Sequence, residues 1–259
     1  MTLRFVDTHC HFDFPPFVGD EAASLQQAAA AGVERIIAVS VSAERFDGVI
    51  ALAEHHDAVY AALGVHPMAI AEHRPDEDLD ALEQHLRRRH PKLVAMGEIG
   101  LDLYIDNPQF ERQQALLDAQ LRLARDYDLP VILHSRRTHD KLAMHLRRIN
   151  LPRCGVVHGF AGSEQQALAF IRAGYAIGVG GTITYERASK TRQTLSRLPL
   201  TSLLLETDAP DMPLQGFQGQ PNRPERVRDV WETLCALRSE SPQHIADTLR
   251  ENTRTLFGV

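Results

Sequence analysis

Short apolar segments recur along the chain, and each is followed by a stretch whose apolar residues have helical spacing. Segments of this length and composition are typical of β-strands. The segments are Leu3–Val6, Arg35–Val39, Ala58–Leu63, Leu93–Met96, Val131–Leu133, Gly155–Val157, Tyr175–Val179 and Ser202–Leu205. The pattern therefore predicts eight strands.

The intervening stretches carry helix boundary signals as well as helical spacing. Ser42 suits an N-cap, Gly32 suits a helix end, and Pro91 cannot continue a helix. The predicted helices are Ala22–Ala31, Ala43–His55, Asp78–His90, Phe110–Tyr127, Arg137–Ile149, Glu164–Ala173, Arg187–Leu198, Pro224–Arg238 and Gln243–Arg254. Strand and helix thus alternate along the chain, with two helices closing it.

This alternation implies an α/β fold with a parallel sheet, either open and doubly wound or closed into a (β/α)8 barrel. The count of eight strands favours the barrel, and 259 residues suit one TIM barrel. No linker, repeat or low-complexity tract marks a second domain. We therefore expect residues 1–259 to form a single TIM-barrel domain.

Polar residues follow six of the eight apolar segments. They are His9 and His11, His66, Glu98 and Asp102, His134 and Arg136, His158, and Glu206 and Asp208. Neighbouring strands of an open sheet are roughly 4.8 Å apart, so ends several strands apart cannot share one small site. A barrel brings these ends around one mouth, where barrel enzymes keep their active sites.

Four of these histidines and two of the carboxylates suit one or two divalent metal ions. His9 and His11 are two apart in extended chain and face the same side, whereas Cys10 between them should turn away. Imidazole favours Zn, Ni, Fe or Cu, and carboxylate admits Mg or Mn. Two ions sharing a bridging carboxylate form a clamp for displacement at phosphorus.

Composition limits the possible partners. A net charge of −6 argues against a broad basic groove for nucleic acid, although it allows a phosphate held locally by metal ions. Three cysteines without CxxC spacing indicate reduced thiols. No signal peptide or membrane-spanning segment is evident, so we expect a cytoplasmic protein, monomeric or weakly oligomeric.

Five motifs together resemble the TatD family of metal-dependent DNases, a branch of the amidohydrolase-like barrels. They are Asp-Thr-His-Cys-His from residue 7, Gly-Glu-Ile-Gly-Leu-Asp from residue 97, His-Ser-Arg from residue 134, His-Gly-Phe from residue 158, and Leu-Leu-Glu-Thr-Asp-Ala-Pro from residue 204. The resemblance implies a two-metal hydrolase that cleaves phosphodiester bonds in DNA, including removal of nucleotides from 3′ ends. DNA or a small phosphodiester is the implied substrate.

The resemblance also implies roles for individual residues. One metal would be held by His9, His11, Glu98 and Asp208, and a second by Glu98, His134 and His158. Glu98 would bridge the two ions, and Asp208 would act as the base that takes a proton from the attacking water.

Four further residues are candidates for supporting roles. The family reading makes His66 a contact for the substrate phosphate, and the alternative is a hydrogen bond within the barrel mouth. Arg136 could bind phosphate bidentately or be a solvated charge. Glu206 could orient a metal ligand or be a buried carboxylate in an inner layer of the barrel, and Asp102 could likewise orient groups near Glu98. A glycine run at 178–181 is more typical of a tight turn than of a phosphate site.

Two segments depart from the best-known family members, namely the fifth-strand motif and residues 211–224 after Ala209-Pro210. Both look like the less characterised branch, which is described only as metal-dependent hydrolases. The leading hypothesis is a 3′-5′ deoxyribonuclease or other phosphodiesterase. The alternative is an amide or lactone hydrolase acting on a small molecule, and a third possibility is a metal-binding protein without catalysis.

Overall fold

The computed structural model describes residues 3–259, in which eight parallel strands form one sheet with the order β1 to β8. The strands are β1 Phe5–Cys10, β2 Val33–Val39, β3 Val59–Leu63, β4 Leu93–Asp102, β5 Val131–Arg136, β6 Gly155–Val157, β7 Ala176–Val179 and β8 Leu203–Leu205. The chain after β8 meets β1, because Asp208 N donates to His9 O at 2.9 Å and His11 N donates to Ala209 O at 2.8 Å. The predicted (β/α)8 barrel is confirmed.

Nine α-helices surround the sheet within residues 3–259. They are α1 Glu21–Ala30, α2 Phe46–His55, α3 Pro75–Arg88, α4 Phe110–Asp126, α5 His139–Arg148, α6 Glu164–Arg172, α7 Ser189–Arg197, α8 Val227–Leu237 and α9 Pro242–Phe257. Helix α3 begins at Pro75 rather than Asp78, since proline is well suited to the first turn. None of these helices is both long and apolar enough to cross a membrane.

Three strands run further than the apolar pattern predicted. Strand β1 was expected to end at Val6, β4 at Met96 and β5 at Leu133, whereas pairing of β4 with β5 continues to Asp102 and Arg136. The apolar pattern stops early because the last residues of these strands that face the barrel mouth are polar. Glu98 therefore lies within β4, at the irregularity between Met96 and Ile99 in its pairing with β5, and its N–H donates to Ser40 O at 3.1 Å.

Two apolar layers fix the strands in place. Along β2, Ile36 and Ala38 pack in the larger cluster that includes helix residues, while Ile37 and Val39 pack in a second cluster made chiefly of strand residues. This alternation places one face of each strand under the helices and the other inside the barrel. Leu204 belongs to the inner layer, and polar side chains replace it toward the mouth.

Candidate metal centre

Glu98 lies at the middle of a buried group of histidines. Its Oε2 is 3.2 Å from His9 Nε2 and 3.4 Å from His11 Nε2, both supplied by β1 and its end. Its Oε1 is 2.6 Å from His158 Nε2 and 3.0 Å from His134 Nδ1. Oε2 of this one carboxylate therefore faces His9 and His11, and Oε1 faces His158 and His134. The two sets of imidazoles adjoin, since the rings of His9 and His158 stack with their centres 3.8 Å apart.

Asp208 adds a second carboxylate on the β1 side only. Its Oδ1 lies 3.2 Å from His9 Nε2 and 3.4 Å from His11 Nε2. Its backbone has φ 62°, in the left-handed region that favours glycine, and is held there by the hydrogen bond to His9 O. The contact between the chain after β8 and β1 thus positions this carboxylate.

The donor atoms on the β1 side suit a cation better than they suit one another. His9 Nε2 is buried and within 3.2 Å of two carboxylate oxygens, yet it makes a hydrogen bond with neither. Ligand atoms that bind one ion tetrahedrally at 2.0–2.2 Å lie about 3.4 Å from one another. The contacts of His9, His11, Glu98 and Asp208 are of this length, so these residues fit a divalent cation.

Electrostatics point the same way. Burial by itself raises the pKa of the Glu98 carboxyl, but His158, His66 and His9 reverse this and hold it well below its usual range. Burial lowers the pKa of His11, but the Asp208 and Glu98 carboxylates raise it to about 10. The centre thus holds ionised carboxylates away from water and attracts positive charge, as a divalent ion requires.

Hydrogen bonds assign the proton of His134. Its Nε2 lies 2.8 Å from Asp102 Oδ2, and the pKa of Asp102 is held low by His134 against the effect of burial. An ionised carboxylate only accepts, so the proton of the neutral ring is on Nε2. The lone pair on Nδ1 then faces Glu98 Oε1 and lies 3.4 Å from His158 Nε2, where it can bind a cation. Asp102 is thus placed to orient this ligand.

His66 has the opposite arrangement. Its Nδ1 accepts the backbone N–H of Met68 at 3.0 Å, so in the neutral ring the proton must be on Nε2. That Nε2–H donates to Glu98 Oε1 at 3.1 Å, and burial lowers the pKa of His66 to about 4, which keeps the ring neutral. His66 therefore presents a donor to the centre rather than a lone pair for a metal.

Glu206 is completely buried below His158. It accepts the N–H of Gly159 and lies 3.7 Å from His158 Nδ1, which is too long for a hydrogen bond. A Cβ at Gly178 would come within 2.5 Å of Glu206 Oε2. The glycine at position 178 therefore makes room for the Glu206 side chain. This explains the glycine without a tight turn or a phosphate site.

Asp7 is a supporting residue that the sequence reading missed. It is fully buried and accepts from Thr207 N at 2.9 Å and Thr207 Oγ1 at 2.6 Å. Burial is the main cause that raises its pKa to about 7. A carboxylate two residues before His9 in an apolar strand was the available signal. Asp7 joins β1 to the segment that carries Asp208.

Cys10 faces away from the centre, with Sγ against Ala209 O at 3.5 Å.

Two different surfaces adjoin the buried centre. A pocket of about 590 Å³ opens beside His11 and His66, with Phe14 and Met68 in its wall. Arg136, at the end of β5, is exposed, and its guanidinium lies 3.6 Å from the ring centre of Tyr104. Among the predicted site residues, Arg136 alone lies outside the buried cluster around Glu98 and Asp208.

The chain is similar to a known family, to known sequences and to solved structures. The family described as TatD related DNase matches residues 6–258. The uncharacterized metal-dependent hydrolase YjjV of Escherichia coli K12 is 66% identical over 259 residues, covering all of both chains. Its crystal structure, described as a TatD homologue, has a TM-score of 0.98 to this chain.

A further metal-dependent hydrolase, from Haemophilus influenzae, is 45% identical over 263 residues, which cover 98% of this chain and 100% of the relative. A 3′-5′ ssDNA/RNA exonuclease TatD from Rahnella sp. is 32% identical over 253 residues, 94% of each chain. The resemblance seen in the sequence motifs is confirmed, including its likeness to the branch described only as hydrolases. Because the family match spans nearly the whole chain, this protein belongs to the TatD family and is a metal-dependent hydrolase.

Proposed function

We propose that this hydrolase cleaves phosphodiester bonds at the ends of DNA chains, using two divalent ions shared by Glu98. The observation that carries the proposal is the position of the Glu98 carboxylate, with one oxygen toward His9 and His11 and the other toward His134 and His158. A bridging carboxylate between two nitrogen-rich sites is suited to in-line displacement at phosphorus.

In this proposal His9, His11, Glu98 and Asp208 would hold one ion. Glu98, His134 and His158 would hold the second, with Zn, Mn, Mg, Ni and Fe as the candidate metals. When bound, such ions stabilise the negative charge that develops on the phosphoryl oxygens.

Asp208 is the proposed general base. Its side chain is 18% exposed, against 2% for Glu98, so water can reach it. The Asp208 carboxylate takes a proton from the attacking water as its oxygen bonds to phosphorus. One P–O ester bond then breaks, and the departing sugar oxygen takes up the proton from Asp208, which restores the carboxylate. The products are a phosphomonoester and an alcohol.

A neutral donor, His66, and a cationic donor, Arg136, complete the proposed site. The Nε2–H of His66 donates to Glu98 Oε1 in this structure and would turn to a phosphate oxygen when that carboxylate oxygen binds an ion. The Arg136 guanidinium, at the end of the same strand as His134, can bind a phosphate through two N–H groups. The name of the Rahnella relative, an exonuclease for single-stranded DNA and RNA, supports nucleic acid as the substrate class.

The test is turnover by protein purified without chelator and loaded with each metal in turn. Bis(p-nitrophenyl) phosphate reports hydrolysis of a simple diester, and a 5′-labelled oligonucleotide reports shortening from its 3′ end. We expect both substrates to be cleaved, and both activities to disappear after chelation and return with added metal. Cleavage of neither diester by protein that contains two metals per chain would contradict the proposal.

One feature favours the alternative, an amide or lactone hydrolase. The pocket beside His11 has apolar wall residues such as Phe14 and Val65, which would accept an acyl group. A panel of N-acyl amino acids and lactones, assayed with the same metal-loaded protein, separates the two. Turnover of a panel member with kcat/KM above that of every diester would favour this alternative.

A further inference from the structure

The two sides of the barrel mouth differ in their unpaired charge. One side is the pocket beside His11 and His66. The other is a surface that we name the arginine ledge, formed by Tyr104, Arg136 and Arg137. Both lie next to the proposed metal ligands, but on opposite sides: the pocket contacts His11, and the ledge follows His134 on β5.

The arginine ledge presents two cations on one aromatic ring. The guanidinium carbons of Arg136 and Arg137 lie 3.6 and 4.5 Å from the ring centre of Tyr104, which is 51% exposed. Among residues 3–259, neither arginine has a carboxylate within 4.0 Å. Two neighbouring like charges without a counter-ion favour an anion, and arginine binds phosphate in particular.

The ledge is rigidly connected to the centre. Tyr104 N donates to Asp102 Oδ1 at 2.7 Å, while Asp102 Oδ2 contacts His134 Nε2 at 2.8 Å. Asp102 thus contacts both the backbone of the ledge and a proposed metal ligand. In addition, Leu103 N donates to Arg136 O at 3.0 Å. A phosphate on the ledge would therefore be fixed relative to His134.

The pocket has the opposite character. Its two arginines are already neutralised, because Arg45 lies 3.3 Å from Asp13 and Arg74 lies 3.4 Å from Asp78. Three other lining residues are exposed carboxylates that have no basic partner within ion-pair distance in the described part of the chain. They are Glu44, Glu72 and Asp211. A volume of about 590 Å³ is large enough for one small organic group.

From this asymmetry we infer that the substrate is a phosphodiester chain whose uncharged, hydroxyl-ended terminal unit enters the pocket while its remaining phosphates bind the arginine ledge. The inference rests on the proposed function and adds the orientation of the substrate and the chemistry of its end. The carboxylates of the pocket repel a terminal phosphate, and the guanidiniums attract the internal ones. The enzyme therefore acts on chain ends and requires a free hydroxyl there.

The first test measures the ledge by substrate length. Wild type, Arg137→Ala, Tyr104→Leu and the control Arg122→Ala are compared on bis(p-nitrophenyl) phosphate and on a ten-nucleotide single strand. Arg122 is exposed on α4 without an acidic partner in the described chain, so its removal changes net charge equally. We expect the kcat/KM ratio of oligonucleotide to small diester to fall about 10-fold in both ledge variants, chiefly through KM, and to stay constant in the control.

The salt dependence gives an independent readout. For Arg137→Ala, the slope of log KM against log salt should decrease by about one phosphate contact. An unchanged ratio and an unchanged slope would overturn the ledge while leaving the proposed function intact. Failure of wild type on both substrates would instead remove the proposed function.

The second test concerns the chemical group at the 3′ end of the substrate. The same ten-nucleotide strand is supplied with a 3′-hydroxyl or a 3′-phosphate. We expect wild type to prefer the hydroxyl end by about 10-fold or more, since like charges at short range oppose binding. The double variant Glu44→Gln, Glu72→Gln should reduce this preference, and Asp57→Asn, before β3 at the opposite end of the barrel, should not. Equal cleavage of both ends by wild type would overturn the inference.

Discussion

The candidate metal centre has two halves, and their histidines are positioned in different ways. On the β1 side, His9 and His11 face two carboxylates, Glu98 and Asp208, at 3.2–3.4 Å. Their other ring nitrogens have no hydrogen-bond partner in the described chain. On the β5 and β6 side a single carboxylate oxygen of Glu98 faces the histidines, but His134 is oriented from behind by Asp102.

This difference teaches how each half would keep a cation. The first half relies on the charge of two carboxylates, whereas the second contains one ligand, His134, whose tautomer and ring orientation are fixed by Asp102. Nδ1 of His158 has no hydrogen-bond partner in the described chain, as in the first half. Substitutions in the two halves should therefore have different consequences.

Glu98→Ala should have the largest effect. Its two oxygens serve both halves, so its loss should remove metal from both. Turnover should fall by well over the roughly 100-fold that follows removal of a residue hydrogen-bonded to a metal ligand. Metal content per chain by elemental analysis, together with kcat on a small diester, checks this. Two metals still bound per chain would mean that Glu98 does not bridge.

Asp208→Asn should separate binding from catalysis in the first half. The amide retains one oxygen for a metal but is no longer a base, so we expect metal to remain while kcat falls about 10²-fold or more. The decisive measurement is kcat at increasing metal concentration. Recovery to near the wild-type rate would leave Asp208 as a ligand only.

His9→Ala should lose metal affinity first and recover part of its rate at high metal. The remaining carboxylates of that half still attract a cation, because Asp208 and Glu98 are untouched. His134→Ala should recover less, since Glu98 supplies only one oxygen to that half. Metal titrations of both variants against one diester measure the contrast, and identical titration curves would contradict it.

Asp102→Asn should have a smaller effect than the substitutions of the proposed metal ligands. The amide can still contact His134 Nε2, but unlike a carboxylate it does not require that Nε2 carries the proton. Metal affinity or activity should therefore fall about 10–100-fold. Glu206→Gln is the matched comparison. Because Glu206 lies 3.7 Å from His158 Nδ1, its change should cost less. A larger loss for Glu206→Gln would reverse the assignment of which carboxylate orients a ligand.

The sequence by itself predicted the barrel and the polar residues that meet at its mouth. Eight apolar segments alternating with helices predicted the fold, and the polar residues after them named the histidines and carboxylates that the structure brings together. This succeeded because burial imposes a periodic apolar pattern, and its interruption marks the residues of the mouth. The ends of β1, β4 and β5 were misjudged for the same reason.

Only the tertiary structure decided how those residues act. The tautomers of His66 and His134 depend on which group lies behind each ring, a backbone N–H in one case and the Asp102 carboxylate in the other. The role of Asp7 depends on Thr207, 200 residues away in the chain. The arginine ledge requires Tyr104, which follows β4, to contact Arg137, which follows β5. Such contacts join distant segments, and no periodicity within either segment encodes them.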